Sequence, residues 1–214
     1  MGIGGSGLIK TGIMGGTFNP IHFGHLLLAE NAYEQLGLDK VLFMPSKNPP
    51  HKAKPETVTE RQRLDMIAMA IRENPHFELS AVELEREGMT YTVDTLAILT
   101  RQHPGTEYFF LVGADSLFMM QNWREPETIF RLCTVVAANR DNVDQVRLDR
   151  QVEYLKNTFA ASIVQIDMPA IQISSAEIRQ RISEARSIRY YLPDAVYNYI
   201  KRNGLYAAKP EGTE

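Results

Sequence analysis

The chain has 214 residues, 44% hydrophobic and 23% charged, which suits one domain with a substantial core and excludes disordered, collagen-like and coiled-coil chains. Lys and Arg total 23 against 26 Asp and Glu, a formal net charge of -3, so no global basic field exists to hold a nucleic-acid backbone and any anionic ligand must be met locally. The single cysteine, Cys133, makes neither an internal disulfide nor a thiolate cluster, and no apolar run approaches the roughly 18 residues of a membrane span, so neither a nucleic-acid nor a membrane partner is expected and a reducing cytoplasm is the expected compartment.

Residues 1–7 hold four glycines and no apolar signal region, and are expected to be a disordered or appended leader; the domain then runs over 8–207, with 208–214 a flexible tail. Residues 8–14 read as the first strand, followed by a glycine-rich turn and a helix over 25–36 that Gly37 closes. The second strand is 40–44. Residues 45–55 carry four prolines and the basic set Lys47, His51, Lys52 and Lys54, an exposed loop at that strand's carboxyl end. Thr59 caps the next helix, in which Leu64, Ile67, Ala68 and Ile71 are spaced as one buried stripe. Residues 77–85 read as extended, 92–102 as helix, and 108–112 as a buried parallel strand that Gly113 breaks. Next come a strand at 133–138, with Cys133 an inert core thiol, a helix at 148–157 and a strand at 163–166. Helices at 175–185 and 194–203 close the chain, the last stopped by Gly204. This alternation predicts an α/β fold, a doubly wound parallel sheet in a single domain, with the loops after Met14, Met44, Val112, Ala138 and Ile173 converging at the strand ends.

The most informative segment is GGTFNPIHFGH, residues 15–25, which joins the first strand to the first helix. Gly15 and Gly16 let backbone N–H groups approach an anion, and the helix adds its positive end, with Thr17 and Phe18 between them. His22 and His25 are three apart, so on a first helical turn they share a face, and Gly24 removes a side chain that would stand in a ligand's way. The segment lacks the Gly-Lys-Ser/Thr of a P-loop and the GxGxxG of a dinucleotide fingerprint. Without a third ligand or an intervening Glu, its histidines are not read as a metal site.

GGTFNPIHFGH, together with ISSAEIR at 173–179, resembles the HxGH nucleotidyltransferase superfamily. Within it the chain is most similar to bacterial nicotinate mononucleotide adenylyltransferases, over residues 9–206, through PPHK at 49–52, EREGMTYT at 85–92, GADS at 113–116 and NW at 122–123. The resemblance implies a Rossmann-like sheet and transfer of AMP from ATP to nicotinate mononucleotide, a step of NAD biosynthesis. Mg²⁺ would accompany ATP. A sister adenylyl- or cytidylyltransferase, such as a pantetheine-phosphate adenylyltransferase, and a noncatalytic adenine-nucleotide sensor are the rival readings.

Ser174 and Ser175 open a helix that Ser175 can cap, and Arg179 lies four residues on, above the same helix start. The resemblance implies that these residues hold the β and γ phosphates of ATP, with His22 and His25 nearer the reacting centre. Lys47, His51 and Lys52 lie on a loop placed to cover the triphosphate, Lys47 also being an acceptor-binding candidate. For the acceptor, the resemblance puts Thr92 beside the pyridine carboxylate. Asp115, at a strand end, suits a ribose hydroxyl or a helix cap. Trp123, the single tryptophan, stands among polar residues as a stacking platform, with the cation of Arg124 next to it.

Overall fold

Residues 108–112 have no polar face to turn to water, and they form the middle of a six-stranded sheet in which every neighbouring pair is parallel. The structure, a computed structural model, describes residues 7–47, 58–139, 144–169 and 171–208. Its strands are β1 (Ile9–Gly16), β2 (Lys40–Pro45), β3 (Phe77–Leu79), β4 (Thr106–Gly113), β5 (Thr134–Asn139) and β6 (Ile163–Asp167). They run in the order β3-β2-β1-β4-β5-β6, which makes the sheet doubly wound, as expected.

The helices are α1 (Phe23–Leu36), α2 (Glu60–Ile71), α3 (Thr92–Gln102), α4 (Ala114–Met119), α5 (Pro126–Leu132), α6 (Gln145–Phe159), α7 (Ser175–Ser183) and α8 (Asp194–Arg202). Side chains of β4 alternate between two cores. Phe109 and Leu111 pack with α1, α2, α7 and α8, whereas Tyr108, Phe110 and Val112 pack with α3 to α6. Gly37, at φ 57°, ends α1 in the left-handed conformation that a side chain would disfavour.

Several expectations are corrected. The stripe of α2 is rotated: Arg63, Met66, Ile67 and Ile71 are buried, while Ala68 is exposed and Leu64 half-buried. The rotation turns Arg63 inward, where its guanidinium meets backbone carbonyls. The extended segment after Asn74 pairs only over Phe77–Leu79, because the N–H of Leu84 then turns back to donate to Ala81 O at 2.8 Å. Helices α4 and α5, joined by a 3₁₀ turn at Met120–Asn122, were not expected; at six and seven residues they are too short to display an apolar period. Cys133 caps α5 instead of opening β5, and burial pushes its thiol up to about 12, as an inert core thiol requires.

Candidate active site

At the switch point of this sheet the chain leaves β1 toward β2 on one side and β4 toward β5 on the other, opening a crevice at the strand ends. A cavity of about 650 Å³ occupies it, walled by Gly15 and Gly16 at the end of β1, by His25 on α1, by Ser46 after β2 and by Gly113 at the end of β4. The carbonyl of Ile173, before α7, lies against Gly24, which lines the cavity. Three of the five expected loops thus line the cavity, the segment before α7 packs against Gly24 on its wall, and the loop after β5 lies largely outside the described residues.

His22 is not on the first turn of α1. It is the N-cap, in an extended conformation (φ −151°, ψ 171°), and His25 is the third helical residue. The two rings nevertheless stack, with centroids 3.7 Å apart and planes 28° from parallel. The backbone N–H of His22 donates to Nδ1 of His25 at 3.3 Å. With Nδ1 an acceptor, a neutral His25 carries its proton on Nε2, the tautomer that donates. The ring of Phe18, buried and at φ 48°, meets His25 edge-on at 5.0 Å. His25 lines the cavity, and His22, 3% exposed, stands behind it. Gly24 lines the cavity, as expected, and has a second reason to lack a side chain: a Cβ there would lie 3.1 Å from Cε1 and Nδ1 of His22.

The second motif docks on the first. Ser174, not Ser175, caps α7, its Oγ accepting from Glu177 N at 3.1 Å. Ser175 Oγ donates to Pro20 O at 2.8 Å and Arg179 Nη1 to Asn19 O at 2.7 Å, so both hold the turn that carries the histidines. Asn19 is fixed from its other side by the buried Tyr206 hydroxyl, which donates to Asn19 Oδ1 at 2.7 Å.

Arg63 has no signature in the sequence beyond its helix position. Its side chain is buried, and Nη1 donates to Thr17 O at 2.9 Å and to Ser46 O at 2.8 Å, tying the turn after β1 to the loop after β2. Arg63→Ala would leave both carbonyls without this donor, beside a new void. It is expected to lower unfolding free energy by about 3 kcal/mol in urea titrations; a loss below about 1 kcal/mol would contradict this role.

Lys47 is not on the cavity wall. Its ammonium donates to Leu84 O at 3.0 Å and Arg86 O at 2.9 Å, stapling the loop after β2 to the turn after β3. His51 and Lys52 lie outside the described residues.

On the opposite wall, Tyr91 is the N-cap of α3 without a side-chain capping bond, and Thr92 opens the helix beside it, both lining the cavity. Trp123 also lines it, half-buried, its ring perpendicular to Phe110 at 6.1 Å. The Arg124 guanidinium lies over the Tyr91 ring, 4.7 Å from its centroid, and faces the cavity. Asp115 is exposed in the first turn of α4, away from the cavity wall; the helix cap is Gly113, and Ser116 lines the cavity in its place. Glu83, half-buried on the turn after β3, faces the same cavity and was not anticipated, because that turn was read as strand.

A cytidylyltransferase-like family profile matches residues 13–181. A probable nicotinate-nucleotide adenylyltransferase of Lachnoclostridium phytofermentans is 47% identical over 197 residues, covering 92% of this chain and 98% of that protein. One from Carboxydothermus hydrogenoformans is 41% identical, with 92% and 98% covered. Among solved structures, a Plasmodium falciparum nicotinic acid mononucleotide adenylyltransferase complexed with NaAD shares the fold at a TM-score of 0.74 and 20% identity, over 92% of this chain and 97% of that one.

Proposed function

Since the chain belongs to the cytidylyltransferase-like family, alongside its nicotinate-nucleotide adenylyltransferases, we infer that it transfers AMP from ATP to nicotinate mononucleotide, yielding nicotinate adenine dinucleotide and pyrophosphate for NAD biosynthesis. The observation that carries this reading is the stacked His22–His25 pair at the start of α1, with His25 on the wall of a cavity large enough for a nucleotide.

The acceptor phosphate is already a nucleophile, so no side chain needs to carry AMP. The protein's task is to align that phosphate with the α-phosphorus and to stabilise the charge that moves onto the leaving pyrophosphate. In this reading Gly15 and Gly16 let the α-phosphate close to the backbone. His25 donates to the transferring group from Nε2, and His22 holds the ring of His25 in place. The guanidinium of Arg179 has five N–H donors. One is engaged by Asn19, which anchors the side chain, and others would meet the departing phosphates with Ser174 and Ser175. Across the cavity, Trp123 offers a stacking face and Thr92 a helix start to the acceptor's pyridine ring.

Among the described residues no three His, Cys, Asp or Glu side chains gather where they could hold a metal ion. A protein cage for Mg²⁺ therefore does not fit these residues, and we propose that the ion travels with ATP on phosphate oxygens and water. No helix of the described residues is long and apolar enough to cross a membrane. The lone buried thiol suits the cytoplasm as the proposed location.

The substrate is tested by supplying ATP and Mg²⁺ with nicotinate mononucleotide, nicotinamide mononucleotide or phosphopantetheine in turn and following pyrophosphate. Release is expected to be fastest with nicotinate mononucleotide. Faster release with phosphopantetheine would favour a sister transferase, and no release with any acceptor would favour a nucleotide sensor.

A further inference from the structure

Among the described residues a single acidic side chain, that of Glu83, lines the acceptor cavity. On the turn after β3, Glu83 accepts a hydrogen bond from Thr95 Oγ1 at 2.9 Å and faces the cavity that Tyr91, Thr92 and Trp123 also line. The neighbouring cation is engaged elsewhere: Arg86 Nη2 pairs with Asp94 Oδ2 at 3.2 Å, and its Nη1 donates to Thr95 Oγ1 at 3.1 Å. Glu83, Arg86 and Asp94 together thus carry one net negative charge. Lys47, the next cation, donates to the carbonyls of Leu84 and Arg86 rather than to this carboxylate. Burial pushes the Glu83 carboxyl above the usual carboxylate value, against the lowering pull of Thr95, Thr90 and Arg86. A carboxylate taken partly out of water, eased by Arg86 but with no salt bridge of its own among the described residues, is costly unless a ligand brings positive charge.

Nicotinate mononucleotide carries positive charge at one place only, the quaternary nitrogen of its pyridinium ring; its carboxylate and phosphate are both anionic. Resting on the adenylyltransferase reading above, we propose that Glu83 is the counter-ion of the acceptor's pyridinium ring, so that the site selects a cationic ring as well as an acidic substituent. The rest of the wall suits that arrangement. The aromatic face of Trp123 favours a cation, and the guanidinium of Arg124, held over Tyr91, suits the ring's carboxylate. A ligand with opposite charges at its two ends meets a cavity with opposite charges on its wall.

The test is a pair of ligands that differ in ring charge. Nicotinate adenine dinucleotide in its oxidised form has a cationic ring, and its dihydropyridine form, with one hydride added, has a neutral one. Calorimetric titration of the wild-type protein with both is expected to show tighter binding of the oxidised form. Glu83→Gln keeps an oxygen for the Thr95 hydroxyl and removes the charge, and should shrink that preference on the order of tenfold. Glu83→Asp keeps the charge and should retain most of it. If Glu83→Gln weakens both ligands equally, or leaves the ratio of the two affinities unchanged, the carboxylate only supports Thr95 and the counter-ion role is wrong. Pyrophosphate release by the wild-type protein from ATP and nicotinate mononucleotide separates the two failures. Release with an unchanged ratio overturns the counter-ion alone, whereas no release overturns the adenylyltransferase reading.

Discussion

Replacing His25 by alanine is expected to lower kcat by about 10²- to 10³-fold while changing the KM for ATP much less, and His22→Ala is expected to do nearly the same. The reason is the division of labour within the stacked pair. His25 lines the cavity with Nδ1 accepting from the His22 backbone, so its Nε2 donor is aimed by a bond made before substrate arrives. Such a donor strengthens its hydrogen bond as charge grows on the transferring group, and its loss falls on the transition state more than on bound ATP. His22 acts through position: buried, and stacked on its partner at 3.7 Å, it keeps the second ring from turning. Because His22→Ala also opens a void at a helix start, unfolding midpoints should be measured beside the kinetics. A tenfold rise in KM for ATP with kcat intact in either variant would reduce the pair to a ground-state phosphate contact.

Nicotinate mononucleotide should be preferred over its amide by roughly 10²-fold in kcat/KM. The acid and the amide have nearly the same shape, so the preference must come from donors that an NH₂ group cannot satisfy. Thr92 supplies a hydroxyl at the start of α3, where no side chain caps the helix, and Arg124 supplies a cation on the cavity wall. Thr92→Val should cost the acid more than the amide and narrow the preference. Trp123→Ala should weaken both acceptors by removing the stacking surface. Steady-state kinetics on the two mononucleotides decides the point, and equal efficiency in the unmodified protein would mean that this wall does not read the carboxylate.

The parts of the site legible in the sequence were those whose chemistry is packed into adjacent residues. GGTFNPIHFGH and ISSAEIR each place a helix start and its polar side chains within one short segment, and the structure docks the two segments on each other through Ser175 and Arg179. Thr92, Trp123 and Arg124 likewise reach the cavity. What was not legible depends on which way a helix turns or where a short strand stops. The apolar residues of α2 fit two stripes one position apart, and only the carbonyls of Thr17 and Ser46 reveal that Arg63 points inward. Glu83 was hidden because residues 77–85 read as a strand, and nothing local shows that pairing ends at Leu79. Asp115 was placed at a strand end correctly but does not cap the helix it enters: Gly113 is the cap, and Asp115 is exposed in the first turn of a helix too short to announce itself. Lys47 looked like a phosphate ligand by charge and position, yet the carbonyls of Leu84 and Arg86 lie within its reach.

Direct passage of AMP between two nucleotides held side by side at the start of α1 is tested most directly by the stereochemical course at the α-phosphorus. With ATP made chiral there by a single sulfur substitution, transfer to nicotinate mononucleotide should give a dinucleotide of inverted configuration, the outcome of one in-line displacement. Retention would contradict it, because retention requires two displacements and hence a covalent adenylyl-protein intermediate.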